Sequence, residues 1–309
     1  MNEFDLIKSY FNWPLSDPSI ELGVGDDAAL FQIDSDCQLV TSTDTLSESV
    51  HFFKDAHPGD IAYKSLAVNL SDIAAMGAQA KCFTLSLTLP KLDESWLQAF
   101  SDSLREASEF FNVSLIGGDT TKGPLNITIT IMGTVKKSKA IKRSGAKNGD
   151  DIYVSGDLGR AALCLKKINE GSQPSTTELN KLNKPVPRLS LGSALKNIAS
   201  SCIDISDGLE QDLSHILSAS KVGAIIDSHN LPLSDTVKEY IKSTQDWGLP
   251  LCGGDDYELC FTSDKSNQSE IKKLSENLKV RITKIGVINN SLNLNIKGYD
   301  GLSKSFKHF

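Results

Sequence analysis

Two stretches alternate strictly between apolar and polar residues. In KCFTLSLTLP (81–90), Phe83, Leu85, Leu87 and Leu89 share one face, and Thr84, Ser86 and Thr88 share the other. In LNITITIMGTV (125–135), Ile127, Ile129 and Ile131 repeat the pattern. A period of two over runs this long commits both to β-strands with one buried face. Something apolar must cover that face. The segment between them, DESWLQAFSDSLREASEFF (93–111), has Trp96, Leu97, Phe100, Leu104 and Ala107 at helical spacing. PGDIAYKSLAVNLSDIAAMGA (58–78) reads as a further helix, in one piece or two. The first half is therefore expected to be a mixed sheet with helices packed on it.

KKSKAIKRSGAKNGD (136–150) is basic and contains two glycines, and it marks a domain boundary. The expected domains are 1–138 and 139–309. In the second half, DIYVS (151–155), CIDIS (202–206), GAIID (223–227), YELCFT (257–262) and VRITKIGVI (280–288) read as strands. Helices are expected after GDLG, over DGLEQDLSHILSAS, near 233–243 and near 267–278. The fold class is α+β in two domains, with an α/β character to the second half. A chain of 309 residues is long enough for two cores.

The N-terminus MNEFDLIKSYF carries acidic residues and reads as a short amphipathic helix, not a signal peptide. No apolar run approaches the roughly 20 residues of a membrane span. The six cysteines are scattered without a CxxC pair, which argues against zinc or redox chemistry and for thiols in a reducing cytoplasm. A net charge of −7 with no basic patch argues against nucleic acid. It does not argue against phosphates, provided that cations bridge the charges.

Aspartates recur just after short apolar runs, beside Gly or Ser: GVGDD (Asp26, Asp27), LVTSTDT (Asp44), AVNLSD (Asp72), LIGGDTT (Asp119), CIDISDG (Asp204, Asp207) and LCGGDDYE (Asp255, Asp256). Each site has a structural alternative. Asp72 and Asp207 stand where helix N-caps would, and an isolated GGD suits a turn. If the carboxylates converge, they repel unless hard cations neutralise them. Mg²⁺ takes oxygen ligands, keeps waters and shares its shell with substrate phosphates. The neighbouring glycines would let backbone N–H groups approach a phosphate. There is no Walker A motif, no protein-kinase signature, no Rossmann fingerprint and no GxSxG.

In order along the chain, GVGDDAAL, TSTDTLSESVHF, AYKSLAVNLSDIAAMGA, LIGGDTTKGPLNITIT, RSGAKNGDDIYVSGDLG, IDISDGLEQDL and GGDDYELCFT resemble the thiamine-monophosphate kinase family, within the aminoimidazole-ribonucleotide-synthetase-like ATP-binding superfamily. The resemblance runs from about residue 3 to residue 262. It implies an N-terminal domain that dimerises through its sheet and a C-terminal domain that completes the site. It also implies transfer of phosphate from ATP to thiamine monophosphate with several Mg²⁺ ions, in a cytoplasmic homodimer. Carried over position by position, the metal ligands are Asp27, Ser42, Thr43, Asp44, Asp72, Asp119, Asp204 and Asp207. The ATP contacts are Gly118, Asp119, Arg143 and Ser206. The substrate contacts are His51, Asp255 and Phe306. At Asp255 the family pattern has Glu, one methylene longer, and the terminal SFKHF carries Lys307 at a position that is acidic in relatives.

The implied acceptor is itself a phosphate monoester, largely ionised at neutral pH, so no strong base is needed. That suits a chain rich in Asp with five His. The alternatives are another member of the superfamily, such as selenophosphate synthetase or a hydrogenase-maturation dehydratase, and a non-catalytic binding protein on the same scaffold. The first two want a reactive Cys near the N-terminus or at the C-terminus. The third would show a lost metal-binding Asp.

Overall fold

The computed structural model describes residues 3–15 and 17–299. Phe306 and the SFKHF tail lie outside the described residues. The chain divides into two compact units, 1–73 with 78–138, and 74–77 with 139–309.

The first unit contains α1 (Glu3–Tyr10), β1 (Ile20–Leu22), β2 (Leu30–Phe31), β3 (Cys37–Ser47), α2 (Pro58–Ala75), β4 (Gln79–Leu89), α3 (Glu94–Phe111), β5 (Ser114–Lys122) and β6 (Asn126–Lys136). Its main sheet has the order β3-β6-β4-β5. β4 and β5 are parallel, with α3 as the crossover, and the other pairs are antiparallel. The expected mixed sheet is present, and alternation decides its faces. Ile127, Ile129 and Ile131 on β6 and Phe83, Leu85 and Leu87 on β4 are buried. On the opposite face, Thr43 pairs with Thr130 and Thr45 with Thr128 through hydroxyl–hydroxyl hydrogen bonds of 2.9 and 2.8 Å.

α3 starts where Asp93 accepts from the Trp96 N–H, and ends at Asn112 in the left-handed conformation. α2 is one continuous helix rather than two. Ile61, Leu66, Leu70 and Ile73 are buried, and so are Ser65, Asn69 and Ser71 between them. A helix buried on nearly every side has no clean polar stripe, which is why its sequence reads as fragments. The buried Asn69 amide donates to the Ser65 carbonyl and the Ser65 hydroxyl to the Ile61 carbonyl.

The second unit contains β7 (Asp151–Ser155), α4 (Arg160–Asn169), α5 (Thr176–Asn183), α6 (Leu189–Leu195), β8 (Ala199–Asp204), α7 (Leu209–Ser220), β9 (Gly223–Asp227), α8 (Asp235–Thr244), α9 (Gly248–Cys252), β10 (Leu259–Ser263), α10 (Gln268–Leu278), β11 (Ile282–Asn289) and β12 (Leu294–Lys297). The sheet order is β12-β9-β11-β7-β10-β8, antiparallel except for β12 against β9. Both faces are covered. Ile152 and Val154 enter one core, while Tyr153 enters another with Phe261, stacked at 5.3 Å between ring centroids. α5, α6, α9 and β12 carry little periodic signal, and the sequence reading passes over them.

None of the six cysteines forms a disulfide, and five are buried. No helix among the described residues is long and apolar enough to cross a membrane.

Candidate phosphate and cation site

Within the first unit, the loop 23–29, the middle of β4 and residues 115–120 of β5 enclose a cavity of about 500 Å³. Asp27, Gly118 and Asp119 line it. The Asp26–Asp27 pair divides its labour. Asp26 accepts from the Asp27 N–H at 2.8 Å, which holds the turn after Gly25, a residue at φ +121°. Asp27 is left exposed at the cavity wall. Asp119 is not in a turn. β5 runs through it to Lys122, so the turn reading of LIGGD fails. Gly118 is required by a close approach: a Cβ there would stand 1.8 Å from the Leu85 carbonyl oxygen on the paired strand β4. Gly118→Ala is expected to cost about 1–3 kcal/mol and to distort the cavity wall, because the obstacle is backbone and cannot turn away. Urea unfolding together with nucleotide-analogue affinity checks this; unchanged values in both would refute it.

The second group in this unit is Ser42, Asp44 and Asp72. Ser42 and Asp44 alternate onto the covered face of β3, opposite the buried Ile131 and Ile129. The Ser42 hydroxyl donates to Asp72 at 2.5 Å. Burial, then the charge of Asp72 and a hydrogen bond with it, push the Asp44 carboxyl up to about 7. Asp72 lies inside the last turn of α2, so it is not an N-cap. Asp44 also lies within a strand rather than at a strand end. The Thr43 side chain points the other way, to Thr130, so the structure does not group it with the side chains of Ser42 and Asp44. His51 follows β3 in a turn, where its Nδ1 accepts from the Ser47 N–H at 3.0 Å. With Nδ1 accepting, Nε2 is the ring's donor nitrogen.

In the second unit, β8 ends at Asp204, which is buried, and Ser206 and Asp207 follow in a turn. Asp207 is not the N-cap of α7. Gly208 holds that position at φ +120°, with no side-chain cap. Asp207 instead accepts from the Gln211 side chain at 2.8 Å. Loop 253–257 docks on this turn: the Asp255 N–H donates to the Ser206 carbonyl and the Tyr257 N–H to the Ile205 carbonyl, both at 2.8 Å. Asp255 and Tyr257 both take positive φ, +58° and +49°. Such strain persists only when the surroundings over-determine it.

Those surroundings include Glu258, Lys181 and Arg188, which sequence reasoning did not single out, and Asp256, which it did. Glu258 is fully buried and receives Arg188 through Nε and Nη2, both at 2.6 Å, as well as Lys181 at 2.7 Å and the Ser155 hydroxyl at 2.7 Å. Burial works to raise its pKa, but Lys181 and Arg188 outweigh it and hold the carboxyl below its ordinary range. Asp256, two residues earlier, accepts from the Gly159 N–H at 3.0 Å, and burial pushes it up to about 8. The only hint in the sequence was an acid with no apolar excuse in the otherwise strand-like YELCFT. Arg143 is exposed, and its carbonyl accepts from the Ser220 hydroxyl at 3.1 Å, which pins this basic segment to the end of α7.

The donors are oxygens throughout, as a hard divalent cation requires. In the first unit they stand as a pair on one cavity wall and a crowded carboxylate pair beside Ser42. Such partial shells suit Mg²⁺, which completes its octahedron with water and phosphate oxygens. Among the described residues, one trio of acidic or thiol side chains has ligand atoms within 4.8 Å of one another: Asp34, Asp36 and Cys37. None of the three is an expected ligand, and Asp36 is paired with Lys136.

Comparison with known proteins adds the following. Residues 25–135 match the AIR synthase related protein N-terminal domain, and residues 147–297 match the corresponding C-terminal domain. A thiamine-monophosphate kinase from Haemophilus influenzae is 47% identical over 94% of this chain and 90% of its own length. The crystal structure of thiamine-monophosphate kinase from Stenotrophomonas maltophilia K279a superposes with a TM-score of 0.89 at 40% identity, covering 96% of this chain and 97% of that one. AaThiL complexed with AMPPCP and TMP superposes with a TM-score of 0.81 at 29% identity, covering 99% and 96%.

Proposed function

The chain belongs to the thiamine-monophosphate kinase family of AIR synthase related proteins, and we propose that its activity is the Mg²⁺-assisted in-line transfer of a phosphoryl group from ATP to thiamine monophosphate. The products are ADP and thiamine diphosphate. Near-full-length likeness to thiamine-monophosphate kinases, one of them complexed with AMPPCP and TMP, supports the two substrates. Within the molecule, the observation that carries the reading is the Asp44–Asp72 pair: two carboxyl groups crowded together beside Ser42, with Asp44 pushed up to about 7 by burial and by Asp72.

In this reading Asp27, Ser42, Asp44, Asp72, Asp119, Asp204 and Asp207 hold cations, and Thr43 contributes through its main chain. Gly118, Asp119, Arg143 and Ser206 serve the nucleotide, and His51 and Asp255 serve the acceptor. Phe306 keeps the substrate role that the resemblance implies. The cations neutralise the repulsion between two anionic substrates and align the reacting oxygens. The protein's own groups orient and bind. No side chain needs to remove a proton, since the acceptor phosphate has its second pKa near 6. His51 fits this division, because with Nδ1 accepting from the Ser47 N–H its Nε2–H is left to donate to the acceptor. The Asp255 carboxylate is one methylene shorter than the family's Glu, which leaves room for a bridging water. Residues 1–138 act as the ATP, cation and dimerisation domain and residues 139–309 as its complement, in a cytoplasmic homodimer.

The test is ADP release with ATP, Mg²⁺ and thiamine monophosphate, with thiamine as the control acceptor. Turnover of the monophosphate alone, lost in Asp44→Ala, supports the reading. A folded, ATP-binding wild type that turns over neither acceptor would exclude it. Asp255→Glu, which restores the longer arm, is expected to change KM for thiamine monophosphate by less than about fivefold, since a direct contact replaces a water-mediated one of similar strength.

A further inference from the structure

Asp212 was not among the aspartates that sequence or resemblance marked. It lies in the first turn of α7, buried at 3% exposure. One of its oxygens, Oδ2, accepts from three consecutive backbone N–H groups: Ser206 at 3.0 Å, Asp207 at 3.1 Å and Gly208 at 3.2 Å. Three consecutive amides gathered on one carboxyl oxygen hold that stretch of chain in a single geometry. The neighbouring Gln211 holds the Asp207 carboxylate from the same helix turn. Ser206 is in turn the acceptor for the Asp255 N–H.

We propose that Asp212 is a positioning residue: by collecting the amides of Ser206, Asp207 and Gly208 it sets the turn that presents Ser206 to the nucleotide and Asp207 to a cation. The inference rests on the site roles proposed above. Asp212 touches neither substrate nor cation and acts through the turn. A residue that served only as a favourable acid at a helix N-terminus would leave the direction of Asp207 unchanged.

Asp212→Ala and Asp212→Asn distinguish the two. Two readouts are independent of turnover: hydrogen exchange of the amides of residues 206–208, and Mn²⁺ binding in the presence of AMPPCP, followed by electron paramagnetic resonance. In Asp212→Ala the three amides are expected to exchange at least about tenfold faster, with β7 and β10 still protected. Half-saturation by Mn²⁺ is expected to rise about 10–100-fold, the effect typical of losing a group that orients a ligand. KM for thiamine monophosphate should move by a smaller factor than Mn²⁺ half-saturation, because Asp212 reaches Asp255 only indirectly, through the Ser206 carbonyl that accepts from the Asp255 N–H. Asp212→Asn keeps an acceptor oxygen without its charge and should fall between wild type and Ala. Wild-type exchange at 206–208, or wild-type Mn²⁺ binding, in a folded variant overturns the proposal. If the Ala variant does not fold, the Asn variant decides by the same two readouts. A wild type that lacks kinase activity while both readouts shift as expected would remove the functional reading and leave the role of Asp212 in the turn standing.

Discussion

Asp44→Asn is expected to lower turnover of thiamine monophosphate by about 10²–10³-fold or more, and at the same time to stabilise the cation-free protein at pH 8. The two effects have one cause. In the folded chain, burial and the facing Asp72 push Asp44 up to about 7, whereas an unfolded Asp titrates near 4. Between those values the folded state binds more protons than the unfolded state. Stability contributed by this group therefore falls as pH rises through the window and is lowest above it. Asn is neutral at every pH and removes that penalty, on the order of 1–2 kcal/mol after allowance for partial exposure. Asp212 and Asp256, raised to about 7 and about 8 by burial, have the same sign and remain in the variant. The comparison is thus variant against wild type across pH 5–8, by thermal unfolding in EDTA. The stabilisation should amount to a few degrees at pH 8, be clearly smaller at pH 5, and vanish only below the unfolded value near pH 4. Mg²⁺ should raise the melting temperature of wild type more than that of Asp44→Asn. A variant no more stable than wild type at pH 8 would show that the pair is not strained.

The second large effect is expected at Arg188. Arg188→Met leaves the fully buried Glu258 with Lys181 and Ser155 but without its bidentate partner. Breaking a buried pair from one side costs about 3–5 kcal/mol, because a desolvated charge remains. Adding Glu258→Gln removes that charge, and the double variant should recover part of the loss. The pH dependence is opposite in sign to that of Asp44. The folded pKa of Glu258 is depressed, so its contribution is present above the unfolded value near 4.3 and is lost as pH falls through the lower folded value. Urea unfolding of the two single variants and the double gives the coupling directly. Additive losses would mean that Arg188 and Glu258 do not act as a pair. Glu258 follows the strained Asp255–Tyr257 segment, so Arg188→Met should also raise KM for thiamine monophosphate.

Local pattern was enough wherever a segment has one wet face. β6 at Asn126–Lys136 alternates buried and part-exposed positions as its sequence does, and α3 starts at the Asp93 cap ahead of its periodic apolar residues. Pattern failed where burial is complete. α2 read as two possible pieces because it lacks a polar stripe, and that ambiguity made Asp72 look like a cap when it stands in the helix's last turn. Asp44 and Asp119 looked like strand-end residues because Gly, Ser and Thr surround them, yet both lie within long strands whose ladders tolerate those residues.

By itself, the sequence determined the mixed sheet of the first unit, the family through seven ordered motifs, and a set of aspartates recurring after short apolar runs. These are properties of composition, period and order along the chain. Tertiary structure decided which aspartates do which work. Asp26 holds a turn beside Asp27, Asp256 and Glu258 support the loop of Asp255, and Asp212 gathers the amides beneath Asp207. Their chemistry is identical in the sequence. What separates an exposed ligand from a buried brace is the set of N–H groups and cations that packing brings within 3 Å or so of each oxygen, and packing depends on residues up to about a hundred positions away.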